Sequence, residues 1–259
     1  MQAVISVSGG MDSTSLLLNV LRNKEIKRVT LLNFNYGQKQ SIEMVKLQHN
    51  VKYLQGRGFE LDFKAIDLSP VMKLFYSSLL VEDIKVPKDE HYSEKNQRST
   101  VVPNRNAIFS SLIYGLALSN ALKYKDKVII GLGVHSGDYS VYPDCRPEFY
   151  KQLEKAFQMG NWESDKVSFY NPFINGKKID ILKDAVQSCK ELDVNFNIIF
   201  RNTNTCYDPD LLGYACGHCA SCIERLEAFD TLGIKDPCLY VEDYNTLLVN
   251  MRRVINNKK

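Results

Sequence analysis

Strand-like and helix-like stretches alternate along this chain, and that alternation constrains the fold more than any other feature. AVISV (3–7) and VTLLNFN (29–35) are apolar, rich in β-branched side chains and bounded by turn residues, so they read as buried strands. Between them, STSLLLNVLRN places Leu16, Leu17 and Val20 on one face of a helix. Two strands joined by a helix of this length form a parallel crossover unit. The pattern continues with a helix at roughly 41–56, a strand FKAID (63–67), a helix from Asn106 to about Lys123 and a strand KVIIGLGV (127–134). PEFYKQLEKAFQ (147–158) and KKIDILKDAVQSCKEL (177–192) are further helices whose Pro or polar starts suit N-termini. The expected fold is α/β: a doubly wound, mostly parallel sheet, in which ligands bind beyond the carboxyl ends of the strands.

The 259 residues suffice for one large domain or a domain with an appendage. Expected boundaries are an α/β domain over 1–200, interrupted by an irregular insert at 69–100, a cysteine-bearing subdomain over 201–235 and a tail over 236–259. A short helix is expected at about 222–232, and the tail ending RRVINNKK reads as a surface helix with a frayed end. A net charge of +3 without a basic stripe argues against direct nucleic-acid binding. No stretch approaches the roughly 18 apolar residues of a membrane span, and no basic-then-apolar leader opens the chain, so a cytoplasmic protein without membrane contact is expected.

In such a sheet, function depends on the residues that stand just beyond each strand. After the first strand comes SGGMDS (8–13). Its glycines permit close backbone approach, and the helix behind it turns free N–H groups and a positive dipole end into the loop. Ser8, Ser13 and Thr14 add hydroxyls, and Asp12 is placed to hold a divalent cation against phosphate. The GxxxxGK[ST] pattern of Walker-type loops is absent. YGQ (36–38) comes after the second strand, and VVPNRNAIF (101–109) opens a later helix with Asn104, Arg105 and Asn106. After KVIIGLGV comes HSGDYSVYPDCRPEF (135–149), an aromatic loop with acids and Arg146, suited to sandwiching a flat heterocycle.

Of seven cysteines, Cys206, Cys216, Cys219 and Cys222 fall within 17 residues. Clustering of this kind, with an odd total, favours metal over disulfides. C-x2-C-x2-C plus Cys206 forms a four-thiolate set around one tetrahedral ion and leaves no position for water, so a structural zinc is expected. An iron–sulfur cluster uses similar spacing, but the flanking residues do not favour it. His218 reads as a bystander.

The order SGGMDS, YGQ, VPNRN, GVHSGDYSVYPDCRPEF and CGHCASC resembles the 7-cyano-7-deazaguanine synthase family of the queuosine pathway, over roughly residues 1–235. That family lies within the ATP pyrophosphatase (PP-loop) superfamily of adenine nucleotide alpha hydrolase-like folds. The resemblance implies a ligase that adenylates 7-carboxy-7-deazaguanine with ATP, attacks it with ammonia and dehydrates the amide to a nitrile. It implies Mg²⁺, a structural Zn²⁺ and a homodimer. By resemblance, Ser8, Gly9, Gly10, Met11, Asp12, Ser13, Tyr36, Gly37 and Gln38 meet the nucleotide. Arg105, Asp138, Tyr139, Tyr142, Pro143, Asp144 and Arg146 meet the deazapurine acid, with Asp12, Ser13, Arg105 and Asp138 as the catalytic set. Cys206, Cys216, Cys219 and Cys222 match the zinc ligands. Lys178 matches a family lysine only loosely and reads as an ordinary solvated residue.

Three positions depart from the family: Gln40 stands where YGQ-x-H has histidine, and Gly137 and Val141 replace a glutamate and a glycine in EDYSGYPDCR. An imidazole and a carboxylate are therefore missing from groups that could move protons during amine attack or dehydration. This leaves open a relative that adenylates a deazaguanine acid and passes it to another amine, stopping at an amide or joining a protein amine in a defence or modification system. A tRNA thiolation enzyme is a further alternative, with Cys145 as its reactive thiol.

Overall fold

The computed structural model describes residues 1–37, 42–80, 86–89, 98–138 and 142–257, with Asp138 described for its backbone alone. Expectations for Gln38, Gln40, Tyr139, Val141, the Asp138 side chain and parts of the 69–100 insert lie outside the described residues.

Five parallel strands form one sheet: β1 (Gln2–Ser6), β2 (Arg28–Asn35), β3 (Leu61–Asp67), β4 (Val128–Gly131) and β5 (Val167–Phe169), in the order β3-β2-β1-β4-β5. Val4 lies in register between Thr30 and Ile130, so the central strand is bonded on both edges. Buried on both faces, it carries apolar residues at successive positions, as an interior parallel strand must.

Helices cover both faces. α1 (Met11–Arg22) and α2 (Ile42–Gly56) join the first three strands. Leu16, Leu17, Leu47 and Leu54 from these helices pack with Ile5 and Leu31 on one face. A short α3 (Ser69–Met72) comes after β3. α4 (Arg105–Tyr124) and α5 (Pro147–Gly160) cover the other face, where Phe109, Ile113, Ala117 and Tyr150 meet Val4, Leu32 and Ile130. α6 (Lys178–Glu191), α7 (Phe196–Arg201) and α8 (Ala220–Leu232) return to the first face through Ile181, Leu182, Phe200 and Phe229. The chain winds outward from β1 to β3 and then crosses to β4 on the other side of β1. Loops diverge at that reversal, and a crevice opens beyond the carboxyl ends of β1 and β4.

Three details differ from the sequence reading. The strand read over KVIIGLGV ends at Gly131, because the chain turns there to pack against the start of α1. Three short elements, α3, β5 and α7, are absent from the sequence reading, since four, three and six residues are too few for periodicity to register. The tail forms α9 (Tyr244–Asn256), whose Leu247, Met251 and Val254 are buried against Ile223 and Leu226 of α8. Asp243 caps it, accepting the N–H groups of Asn245 and Thr246.

Candidate active site

The SGGMDS loop lies at the crevice. Ser8 and Ser13 hydroxyls are 3.1 Å apart, and the Gly10 N–H donates to Ser8 Oγ at 3.2 Å. Gly9 holds φ +94°, and a Cβ there would stand 2.6 Å from the Glu43 carbonyl oxygen, so α2 fixes glycine at this turn. Met11, Asp12 and Ser13 open α1, where the first N–H groups have no partner within the helix. Their dipole end faces the cleft, lined here by Ser8, Gly10, Met11, Asp12 and Ser13. Gly133 seats the loop from the β4 side: a Cβ on it would lie 2.8 Å from the Ser13 nitrogen.

Lys178 is not the solvated residue the sequence suggested. It is the first residue of α6, its side chain only 7% exposed, with Nζ 2.7 Å from Asp12 Oδ2 and 3.3 Å from Glu224 Oε2. His135 Nε2 stands 3.8 Å from the same Asp12 oxygen. Burial raises the Asp12 carboxyl, but Lys178, His135 and Arg225 together hold it below its ordinary value. Asp12 Oδ1 is buried without a hydrogen-bond partner among the described residues. A carboxylate with one oxygen held by lysine and the other free fits a divalent cation.

Across the cleft stands a second wall of Tyr36, Arg105, Phe109, Tyr142 and Cys145. The Arg105 guanidinium lies 5.8 Å from the Tyr36 ring centroid. Burial opposes its charge, but Tyr36, Tyr142 and Asp144 push its pKa above the usual guanidinium value. Tyr142 bonds Thr100 Oγ1 through its hydroxyl at 2.7 Å. Asp144 accepts the Asn106 N–H at the start of α4, at 3.3 Å, so it serves the loop as a brace. Gly37, Pro143, Asp144 and Arg146 lie near this wall in sequence but do not line the cleft, and Pro143 and Arg146 are exposed. Cys145, the thiol a thiolation reaction would need accessible, is 3% exposed.

Several cleft residues carry no assigned role in the sequence reading, although Glu43 stands just behind YGQ. Glu43 lines it from α2, its carboxylate accepting Asn204 Nδ2 at 3.4 Å. Burial pushes the Glu43 carboxyl up to about 8, against the pull of Asn204, Arg105 and Lys46. The segment ahead of Cys206 backs the SGGMDS loop: Asn204 N–H donates to Gly9 O at 2.9 Å, and Thr205 Oγ1 accepts Met11 N–H at 3.4 Å. Arg225, 1% exposed, pairs with Asp236 at 2.6 Å and donates to Thr203 and Thr205. None of these residues stands in a sequence motif, and only tertiary packing brings them to the loop.

The four cysteines converge as expected, with Sγ atoms within 4.8 Å of one another. Ligands of a tetrahedral thiolate site stand roughly 3.8 Å apart, so little contraction is needed. N–H groups of Tyr207, Asp208, Cys216, His218 and Cys219 point at these sulfurs at 3.2–3.4 Å. Cys206 holds Cys216 low, aided by Cys219 and Cys222, while the same contacts push Cys206 and Cys222 up. Four thiols sharing protons beside inward N–H donors suit a metal that displaces those protons. His218 turns away, its ring nitrogens 2.8 Å from Asp89 and Glu242.

The described helices include none long and apolar enough to cross a membrane. A family model described as queuosine biosynthesis protein QueC matches residues 2–233. The 7-cyano-7-deazaguanine synthase 2 of Colwellia psychrerythraea is 40% identical over 241 residues, covering 92% of this chain and 97% of that protein. The 7-cyano-7-deazaguanine synthase of Pseudoalteromonas translucida is 36% identical over 239 residues, covering 92% and 98%. Among solved structures, NMN synthetase from Francisella tularensis matches over 99% of this chain and 84% of that one, at 16% identity and a TM-score of 0.37, too low to bear on function.

Proposed function

The chain belongs to the family of the queuosine biosynthesis protein QueC, and on that premise we propose that it is an ATP-dependent 7-cyano-7-deazaguanine synthase. Its substrates are 7-carboxy-7-deazaguanine, ammonia and ATP, and an adenylated carboxylate is the intermediate. The observation that carries this reading is a single cleft with an anion loop on one wall and an arginine–aromatic surface on the other.

In the first step the substrate carboxylate attacks the α-phosphorus of ATP and the bond to pyrophosphate breaks. Serine hydroxyls and the free N–H groups of α1 take the phosphate charge, and Lys178 adds a cation. A Mg²⁺ ion held by Asp12 would neutralise phosphate oxygens further. On the opposite wall, Tyr36 and Tyr142 flank the flat base and Arg105 supplies fixed positive charge. Ammonia then displaces AMP from the acyl carbon, losing a proton, and the amide loses water to become the nitrile. Glu43, protonated near neutrality, adds no negative charge against the triphosphate and is placed to exchange a proton.

Zinc is the metal this reading assigns to Cys206, Cys216, Cys219 and Cys222, in a structural role. The same reading includes a homodimer, a cytoplasmic location, a nucleotide-handling domain over 1–200, a zinc subdomain over 201–235 and a tail over 236–259. Asp138, Tyr139 and Gln38 keep their proposed contacts with substrate and nucleotide by resemblance.

Mass spectrometry of products from purified protein, Mg-ATP, 7-carboxy-7-deazaguanine and ammonium tests the proposal. The nitrile is expected, and Asp12→Ala is expected to abolish it. Formation of AMP and pyrophosphate with an amide or an amine conjugate as end product would overturn the nitrile-forming assignment.

A further inference from the structure

Glu224 occupies the first turns of α8, just past the cysteine knuckle, and with Ser221 it lines the cleft. Its Oε2 is 3.3 Å from Lys178 Nζ, which is 2.7 Å from Asp12 Oδ2. We propose that Glu224 is a positioning residue: it is the second counter-ion of Lys178, and its charge leaves Asp12 free for the divalent cation of the incoming nucleotide. The inference rests on the nucleotide reading above.

Charge balance decides which carboxylate is available. Asp12 and Lys178 alone cancel, and a neutral pair offers little to a dication. Adding Glu224 gives the group a net charge of about −1. His135 reaches the cluster only through Nε2, 3.8 Å from the Asp12 oxygen that Lys178 already holds, while its Nδ1 accepts the Gly137 N–H at 3.1 Å. The free oxygen of Asp12 therefore belongs to an anionic cluster rather than to a closed ion pair.

Glu224 also matters after the cation arrives. Once Asp12 turns to a metal, a nearly buried ammonium would be left with a weakened partner, a costly arrangement. Glu224 remains beside it and holds Lys178 toward the phosphates.

Gly137 gives independent support. A Cβ on that residue would lie 2.6 Å from Glu224 Oε1 and 2.7 Å from His135 Cε1. The side-chain space at 137 is already filled, and a carboxylate fills it. Where the resembling family has glutamate in the 135–146 loop, this chain has glycine, and the carboxylate arrives instead from α8.

The test is Mn²⁺ binding, monitored by electron paramagnetic resonance with a non-hydrolysable ATP analogue, on wild type, Glu224→Gln and Glu224→Asp. Gln keeps the shape and removes the charge, so a packing role alone would leave binding unchanged. The expected result is an apparent Kd raised about fivefold to tenfold in Glu224→Gln and close to wild type in Glu224→Asp. In pyrophosphate release, saturating Mg²⁺ should restore most of the Glu224→Gln rate. Wild-type Mn²⁺ affinity in Glu224→Gln, or a rate loss that saturating cation leaves untouched, overturns the proposal. Should Glu224→Gln fail to fold, wild-type Mn²⁺ affinity in Gly137→Ala, whose added carbon would stand 2.6 Å from Glu224 Oε1 and displace the carboxylate, overturns it equally. If the wild type itself binds no Mn²⁺-nucleotide, the nucleotide reading fails, and this inference with it.

Discussion

The Lys178 ammonium lies 2.7 Å from the Asp12 carboxylate, although 166 positions separate them in sequence. The contact ties the start of α6 to the start of α1 and places a buried cation at the phosphate loop. Lys178→Met keeps the aliphatic stem and removes the charge. Pyrophosphate release should fall about 10²- to 10³-fold. Two carboxylates also lose their cation, so stability should drop by about 1–3 kcal/mol in urea unfolding. Lys178→Arg should not restore activity, because a planar fork cannot occupy the seat of a compact ammonium. Wild-type kinetics in Lys178→Met would remove lysine from the mechanism.

Gly133 should tolerate no side chain. Its Cβ would press on backbone, 2.8 Å from Ser13 N and 2.9 Å from Asp12 C, so the anion loop must move. Gly133→Ala is expected to weaken nucleotide binding about tenfold and to cost about 1–3 kcal/mol. Gly115→Ala is the control. It sits inside α4 with nothing within 4 Å of the added carbon, and should stabilise by about 0.5–1 kcal/mol. Calorimetry with an ATP analogue separates the two.

Metal content is the next expectation. Elemental analysis should find one zinc per chain, and Cys222→Ser should lose it. Stripping the metal should lower the melting temperature by several degrees and loosen α8, whose first residue comes directly after Cys219. A stripped protein that melts like the native one would show that the cluster does not support the fold.

Glu43 gives stability a pH dependence of predictable sign. Its carboxyl titrates near 8 in the fold against an ordinary 4.5, so between those values the folded chain binds more protons than the unfolded one. Stability from this group is therefore greatest below about pH 4.5, declines across the window and is level above about 8. Glu43→Gln removes that slope. The variant should match wild type near pH 5 and exceed it by about 4 kcal/mol at pH 9, read from urea unfolding at both values. Parallel curves for the two proteins would contradict the raised carboxyl.

Much of this architecture was legible before any coordinate. β1, β2 and α1 emerge from the period of their apolar residues, because interior parallel strands and amphipathic helices write distinct patterns. The SGGMDS turn and the cysteine cluster were legible because each is written in one short stretch. What escaped was nonlocal. Nothing near Lys178 announces that α6 will aim it at Asp12, and nothing near Glu224 announces that it will fill the space above Gly137. Arg225 looks like a surface arginine on α8 until Asp236, Thr203 and Thr205 close around it. The roles of Asp138 and Tyr139 rest on the resemblance alone.

Synthesis of this chain runs in an instructive order. The phosphate loop leaves the ribosome well before the residues that brace it, Asn204, Thr205 and Arg225. Glu224 and the Asp236 that anchors Arg225 come after the whole sheet has been made. A nascent chain thus carries the loop, through synthesis of the whole sheet, without the groups that make it a site. Catalytic competence comes as a late event, coincident with closure of the cysteine knuckle, and a fragment ending near residue 200 would carry the sheet but not the reaction chamber.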